Sequence, residues 1–154
     1  MILFSERKAF LGKLAVGLTV AFIFSSILWK LVPSFKYGAI PASLELRGDR
    51  FTLEVAVTEK EREKGLGGRE SLCTSCAMLF VFEKPGRYAF WMKDMRFPID
   101  IVWLLKDRVV FVAGEVSPDF SGLLDPVVAA DQVVELNAGV AKNINVGEKI
   151  RFFK

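Results

Sequence analysis

The feature that most constrains this chain is an uncharged apolar run near its N-terminus, LAVGLTVAFIFSSILW at residues 14–29. With its flanks the segment extends over residues 9–32, and about 20 apolar residues suffice to cross a bilayer as a helix. Arg7, Lys8 and Lys13 precede the apolar run. This charge pattern favours a cytoplasmic tail at residues 1–8 and export of the part of the chain that follows the run. The sequence therefore predicts a single-pass membrane protein whose domain lies outside the cytoplasm, with the lipid bilayer as partner of residues 9–32.

Two other interpretations of the same run exist. A cleaved signal peptide has the same basic start, but its apolar region is normally shorter. A buried core helix is disfavoured because the run is apolar on all sides. Residues 33–42 contain Pro33, Gly38 and Pro41 and are predicted to be a linker, which leaves residues 43–154 as the extracytoplasmic domain.

Charge and composition exclude several classes of function. The net charge of +3 arises within residues 1–32, and residues 33–154 carry equal numbers of acidic and basic side chains. The domain therefore lacks the basic footprint of a nucleic-acid partner. The chain contains no histidine, which excludes Ser-His-Asp catalysis and histidine-ligated zinc or haem. No metal site and no cofactor are predicted.

Short alternating segments dominate residues 43–154 and predict a mainly β fold. Turn residues between them predict three hairpins. The predicted strand pairs are 43–46 with 51–57, 77–82 with 87–92 around Lys84-Pro85-Gly86, and 99–105 with 109–113. Further strands are predicted at 133–136 and 150–153. Seven or eight short strands at this spacing are typical of a β-sandwich or a barrel.

One or two short helices are predicted beside the strands. Thr58 and Glu61 have the spacing of a capping box, and Gly65 is placed to end the helix. Residues 138–145 could form one or two further helical turns. The stretch Gly65-Leu66-Gly67-Gly68 follows the helix and lacks the Lys-Ser/Thr of a phosphate loop, so nucleotide binding is not predicted.

An ordered set of motifs resembles the DUF192 family over about residues 44–153. The motifs are Gly65-Leu66, Arg69-Glu70-Ser71-Leu72, Met78-Leu79-Phe80-Val81-Phe82, Phe90-Trp91-Met92-Lys93, Pro98-Ile99-Asp100-Ile101 and the tail Val134-Glu135-Leu136-Asn137-Ala138-Gly139. The resemblance implies a small, mostly β domain with a sandwich or jelly-roll-like core, often exported or membrane-anchored. It implies no established enzymatic activity. The chain departs from the family at residues 73–76 and 94–97.

Cys73 and Cys76 are the only cysteines. A structural zinc site needs about four ligands, which this chain cannot supply from cysteine and histidine. A redox pair of the thioredoxin type sits at a helix N-terminus, whereas Cys76 leads directly into an apolar segment. A disulfide formed in an oxidising compartment is the favoured interpretation, with a redox role second and a metal role third.

Asp100 interrupts the apolar run at residues 97–103. A buried carboxylate is costly unless it is paired or hydrogen-bonded. The favoured interpretation is a structural acid paired with Arg69, Lys93 or Arg96, and the alternative is a polar group at the floor of a pocket. In terms of the resemblance, Asp100 and Lys93 belong to two of the family's motifs.

Aromatic side chains are dense between residues 80 and 103, and most are predicted to fill the core. Because neighbouring strand residues alternate, Phe90 and Trp91 cannot both face one core. One of them must lie on the outer face or under a loop. A minority interpretation is that these rings line a ligand pocket.

The favoured function is a non-catalytic module at the cell envelope that binds a small ligand or a partner protein. The candidate binding residues are Arg69, Trp91, Lys93 and Asp100. One alternative is an envelope hydrolase or glycan-acting enzyme that uses Asp100 with Asp94 or Glu70, two carboxylates across a cleft. The other alternative is a purely structural interaction domain without a cleft.

Overall fold

The computed structural model describes residues 40–154. The predicted tail at residues 1–8, the predicted anchor at residues 9–32 and residues 33–39 of the predicted linker lie outside the described residues. From Ile40 onward, no helix combines the length and the apolar character needed to span a bilayer.

Residues 40–154 contain seven strands and one short helix, joined by turns and loops. They are β1 (Ser43–Leu46), β2 (Asp49–Ala56), α1 (Glu59–Lys64), β3 (Cys76–Gly86), β4 (Ile99–Leu105), β5 (Arg108–Val116), β6 (Ala130–Asn137) and β7 (Arg151–Phe153). All seven strands belong to one sheet with the order β5-β4-β6-β3-β2-β1-β7. The prediction of a mainly β fold is confirmed.

The sheet curls into a half-barrel rather than splitting into the two layers of a sandwich. Its two edges approach each other at one end, where the Val109 amide donates to the carbonyl oxygen of Glu148 over 2.9 Å. The Gly147 amide donates back to the carbonyl oxygen of Val109 over 2.7 Å. Of the two predicted architectures, sandwich and barrel, the observed fold is thus closer to the barrel.

Two of the three predicted hairpins are present. Strands β1 and β2 pair antiparallel, as do β4 and β5. The hairpin around Lys84-Pro85-Gly86 is wrong, because β3 continues through Gly86 and has β2 on one side and β6 on the other. Pro85 is tolerated because the β3–β6 pairing is irregular between Val81 and Gly86, where a missing N–H costs little. The segment after β3 contributes only a bridge between Phe90 and Leu124.

The predicted helix is confirmed as α1. The hydroxyl of Thr58 accepts a hydrogen bond from the Glu61 amide over 3.2 Å, and the Glu61 carboxylate accepts one from the Thr58 amide over 2.8 Å. Gly65 caps the C-terminal end with φ +50°. The helical turns predicted at residues 138–145 are instead a series of hydrogen-bonded turns.

Both faces of the central strands are buried. Leu79, Val102 and Val134 belong to the cluster inside the curl, whereas their neighbours Phe80 and Trp103 belong to a second cluster on the other face. Loop residues such as Leu66, Leu72 and Met92 cover this second face. The β4 sequence is apolar almost throughout because it contacts a core on each side.

Cys73 and Cys76 lie at disulfide-bonding distance in the loop between α1 and β3, with their Cα atoms 5.1 Å apart. The Asn137 side-chain amide donates to the carbonyl oxygen of Cys73 over 3.0 Å, which ties this loop to β6. The pairing agrees with the predicted disulfide.

We expect Cys73→Ser to lower the free energy of unfolding by about 2 kcal/mol, since the bond closes a very short loop. Thermal unfolding with and without a phosphine reductant measures this loss. Reductant should destabilise the wild type and leave the Cys73→Ser chain unchanged. Two reactive thiols in the native, unreduced protein would contradict the disulfide.

Candidate binding site

A cleft of about 270 Å³ opens between α1 with its following loop and the segment at residues 88–95. We call it the aromatic cleft. It is lined by Glu59, Arg62, Glu63, Lys64, Gly65, Leu66, Gly67, Phe82, Tyr88, Ala89, Phe90, Trp91, Lys93, Met95 and Glu135. A more open groove adjoins it, and five residues line both: Glu63, Lys64, Gly67, Lys93 and Met95.

Arg62 fixes the helical wall of the aromatic cleft. Its Nη1 atom donates to the carbonyl oxygen of Val57 over 2.5 Å and to that of Val81 over 3.0 Å. The guanidinium lies 5.1 Å from the centre of the Phe82 ring. α1 is therefore held against the ends of β2 and β3, and Arg62 is committed to these contacts.

The glycines after α1 bring the two walls together. A Cβ atom on Gly67 would lie 2.9 Å from the carbonyl oxygen of Lys64 and 3.2 Å from that of Lys93, too close for a side chain. The Gly68 amide donates to the carbonyl oxygen of Asp94 over 2.8 Å. This glycine-rich stretch thus serves a close approach of backbones, which explains its composition without a phosphate.

Aromatic rings form the opposite wall. Phe82 and Tyr88 stack with their ring centres 3.5 Å apart, and the Tyr88 hydroxyl donates to the carbonyl oxygen of Lys84 over 2.7 Å. Phe90 packs edge-to-face against Phe80. Trp91 remains 47% exposed, whereas Phe90 packs against the core. The sequence predicted that only one of these two rings could face the core.

Lys93 lies beside the exposed indole. Its ammonium nitrogen is 5.3 Å from the centre of the Trp91 ring, within the range of a cation–π contact. Lys93 thereby places a positive charge where the aromatic cleft meets the adjoining groove.

Glu135 supplies a buried carboxyl group to the aromatic cleft. The residue is only 5% exposed, and its Oε2 atom has no hydrogen-bond partner among the described residues. Burial raises the pKa of this carboxyl to about 8, against the lowering effects of the Leu66 amide hydrogen bond and of the Arg69 charge. Glu135 is therefore mostly protonated at neutral pH and has a proton to donate.

Arg69 cannot neutralise Glu135 directly, because its guanidinium is committed elsewhere. It forms a two-fold hydrogen-bonded pair with Glu54, at 2.6 and 2.8 Å. The hydrogen bond from Arg69 lowers the pKa of Glu54, and that of Arg69 is raised in return.

Asp100 is fully buried and lies on the other side of the sheet from Glu135, as the alternation of β4 and β6 requires. Its Oδ1 atom accepts a hydrogen bond from the Glu115 amide, and its Oδ2 atom accepts one from the Ala141 amide, both over 2.6 Å. Asp100 therefore joins β4 to β5 and to the turns after β6, through backbone amides rather than through a cation.

Known proteins share both the sequence pattern and the fold of this chain. The profile of the DUF192 family, described as "Uncharacterized ACR", matches residues 42–152. The chain belongs to the DUF192 family. No curated protein matches it significantly.

Two solved structures resemble the DUF192 domain. One is a proposed transcription regulator from Sinorhizobium meliloti 1021, with 26% identity and a TM-score of 0.66 over 71% of this chain and 90% of the other. The second is a protein of unknown function from Novosphingobium aromaticivorans DSM 12444, with 30% identity and a TM-score of 0.65 over 73% of this chain and 84% of the other. Neither one assigns an activity to the DUF192 domain.

The DUF192 domain brings two of the four predicted binding residues to the aromatic cleft. Trp91 and Lys93 line it, whereas Arg69 and Asp100 are not among the lining residues. The cation partners expected for Asp100 are elsewhere: Arg69 pairs with Glu54, and Arg96 pairs with the exposed Glu70.

The carboxylate pairs of the enzyme alternative do not face each other across this cleft. Asp100 has both oxygens on backbone amides, and Glu70 is engaged with Arg96. Asp94 lines only the adjoining groove. The geometry therefore gives this particular pairing no support.

Sequence reasoning missed Glu135 as the acid of the cleft. Its neighbours Val134 and Leu136 are apolar, so the pattern resembles an ordinary strand with one face in solvent. The useful signal was indirect: β4 is apolar on both faces, which implies that the strand beside it is also covered on both faces.

Proposed function

We propose that this chain is a membrane-anchored protein whose DUF192 domain lies outside the cytoplasm and binds a small ligand, without catalysis, in the aromatic cleft. The observation that carries the binding proposal is the buried Oε2 atom of Glu135, in the wall of an open aromatic cleft, which has no hydrogen-bond partner within residues 40–154. A buried polar group without a partner is costly, and a bound ligand that hydrogen-bonds to it would offset that cost.

The dimensions and lining of the cleft favour a small ligand over a protein partner. Ligand pockets are mostly apolar, with a few polar groups that fix orientation, and typically begin at about 300 Å³. The aromatic cleft is slightly smaller than this, and its walls are aromatic rings with charged side chains at the rim. Trp91 is the exposed ring that such a ligand would cover.

The anchoring proposal rests on the sequence and on the cysteine pair. Residues 14–29 carry no charge and follow a basic segment. Cys73 and Cys76 lie at bonding distance, and disulfides persist in compartments outside the cytoplasm.

Trp91→Ala tests the binding site. We expect a fragment library screened against the full chain in detergent to contain compounds that raise the melting temperature, because ligands that bind only the native state stabilise it. Trp91→Ala should abolish these shifts and leave the unliganded melting temperature almost unchanged, since the ring is half exposed. Phe120→Ala is the matched control, an exposed ring that does not line the cleft.

Binding in the aromatic cleft is refuted if no compound shifts the wild-type transition. It is equally refuted if every shift persists in Trp91→Ala.

Cell fractionation tests the anchoring. The intact chain should remain with membranes after alkaline carbonate washing and should react with no thiol reagent until it is reduced. Recovery of the intact chain in the soluble cytosolic fraction, with both thiols free, would rule out the proposed location.

A further inference from the structure

We infer that the aromatic cleft takes a neutral saccharide, one of whose oxygen atoms accepts a hydrogen bond from the Glu135 carboxyl. This inference rests on the proposed binding function and names the chemical class of the ligand. It depends on three features of the cleft: an acid that carries a proton, an exposed ring, and a rim of mixed charge.

The first feature is the protonation state of the Glu135 carboxyl group. Its burial holds the proton on the carboxyl at neutral pH, so the group offers an O–H donor. The Leu66 amide already donates to this side chain, while Oε2 has no partner in the part of the chain that the structure describes. The missing partner is therefore an acceptor. A neutral hydroxyl or carbonyl oxygen fits, because it accepts this hydrogen bond without bringing a charge next to a buried group.

The second feature is the exposed ring of Trp91. The apolar C–H face of a sugar ring packs against an aromatic face, and its hydroxyls remain free for polar contacts. Trp91 offers such a face at the mouth of the cleft, and the Phe82–Tyr88 stack continues the aromatic surface inward.

The third feature is the balance of charge at the rim. Charged side chains of both signs line the cleft: Glu59, Arg62, Glu63, Lys64 and Lys93. Hydroxyl groups both donate and accept, so they match ammonium and carboxylate groups alike. A strongly anionic ligand would meet two rim carboxylates, and a cationic one would meet three basic groups.

The inference predicts weaker binding at high pH. The Leu66 amide and the Arg69 charge, both from the loop after α1, act on Glu135 and lower its pKa. The other charged or titratable side chains that line the cleft with it are Glu59, Arg62, Glu63 and Lys64 from α1, and Tyr88 and Lys93 from the opposite wall. Glu135, with its pKa at about 8, is the group expected to change its protonation between pH 6.5 and 9.

Titration calorimetry on the full chain tests the inference, in a detergent whose headgroup is not a sugar. The probes are glucose, N-acetylglucosamine, maltose and chitobiose, with glucose 6-phosphate and benzoate as anionic comparisons. We expect at least one neutral sugar to bind at pH 6.5 and to bind about tenfold more weakly at pH 9, because the inferred hydrogen bond, in which the carboxyl donates and the sugar oxygen accepts, exists only while Glu135 holds its proton.

Variants test whether Glu135 causes this pH dependence. Glu135→Gln keeps a donor that cannot ionise, so its affinity should be the same at both pH values. Glu83→Gln, an exposed glutamate that does not line the cleft, should keep the tenfold loss. Trp91→Ala should remove binding of the sugar.

Failure of the inference is distinguishable from failure of the proposed function. If only glucose 6-phosphate or benzoate binds, and Trp91→Ala abolishes that binding, the saccharide inference is overturned and the binding function stands. If no sugar binds, or if sugar affinity in the wild type does not change with pH, the inference is overturned. In that case the fragment screen separately decides whether the cleft binds any ligand.

Discussion

Glu135→Gln should raise the stability of the unliganded chain, and the gain should grow with pH. The folded protein holds the Glu135 proton up to a pKa of about 8, whereas an unfolded glutamate releases it near its ordinary value of 4.5. Glutamine removes this mismatch and keeps an oxygen that can accept from the Leu66 amide. We expect a gain of about 3 kcal/mol at pH 7, or roughly 10 °C in the melting temperature.

The sign follows from proton binding. Between pH 4.5 and 8 the native state binds more protons than the unfolded state at this residue, so the free energy of unfolding falls as pH rises. Below that window Glu135→Gln and the wild type should be of similar stability, and above it the gap should be constant. Circular-dichroism melts from pH 4 to pH 9 measure the curve.

Glu83→Gln is the matched control, the same substitution at an exposed glutamate, and its difference from the wild type should be flat with pH. A Glu135→Gln chain that is less stable than the wild type at pH 8 would show that Glu135 is ionised and paired in the folded state. That result would also mean that Glu135 has no proton to donate to a ligand in the cleft.

Asp100→Asn should lower the free energy of unfolding by about 3 kcal/mol, the second large effect. Both carboxylate oxygens of Asp100 accept from backbone amides, at Glu115 and Ala141. Asparagine has one acceptor oxygen, so its side-chain NH₂ must face one of these N–H donors. A buried amide then loses its partner, and two donors are brought together. Chemical denaturation of the two chains measures the loss.

Asp131→Asn is the matched control, since Asp131 also accepts from a backbone amide, that of Lys106, but in an exposed position. We expect its loss to be below about 1 kcal/mol. An Asp100→Asn chain as stable as Asp131→Asn would mean that water satisfies the amides around Asp100. Because Asp100 does not line the cleft, the substitution should not alter ligand affinity in the fraction that is folded.

Local signals in the sequence predicted most of the strands correctly. The β1–β2 and β4–β5 hairpins depend on short turns and on alternation within a few residues, and α1 depends on its own caps. The predicted hairpin around Lys84-Pro85-Gly86 was wrong because turn residues do not show which strands pair with β3. Lys84-Pro85-Gly86 has the composition of a turn, yet a parallel neighbour on one side and β6 on the other keep β3 extended.

The site was predictable only in part. One of Phe90 and Trp91 was expected on an outer face or under a loop, because neighbouring strand residues alternate; the structure shows that it is Trp91, which lies exposed at the cleft. Asp100 was expected to be a satisfied structural acid, and it is hydrogen-bonded as such, but by amides from distant segments that no local pattern could reveal. The burial of Glu135 depends on a loop some seventy residues earlier, through Leu66, and that contact exists only in the folded chain.

The position of β6 governs how the domain can be assembled. This strand is made late in synthesis, yet it lies between β3 and β4 and pairs with both. Until it emerges from the ribosome, the β1–β2–β3 unit and the β4–β5 hairpin have no shared partner, and each presents an unpaired apolar edge. Such edges recruit other chains, so a nascent or truncated polypeptide that ends before residue 130 is the aggregation-prone species that chaperones must shield.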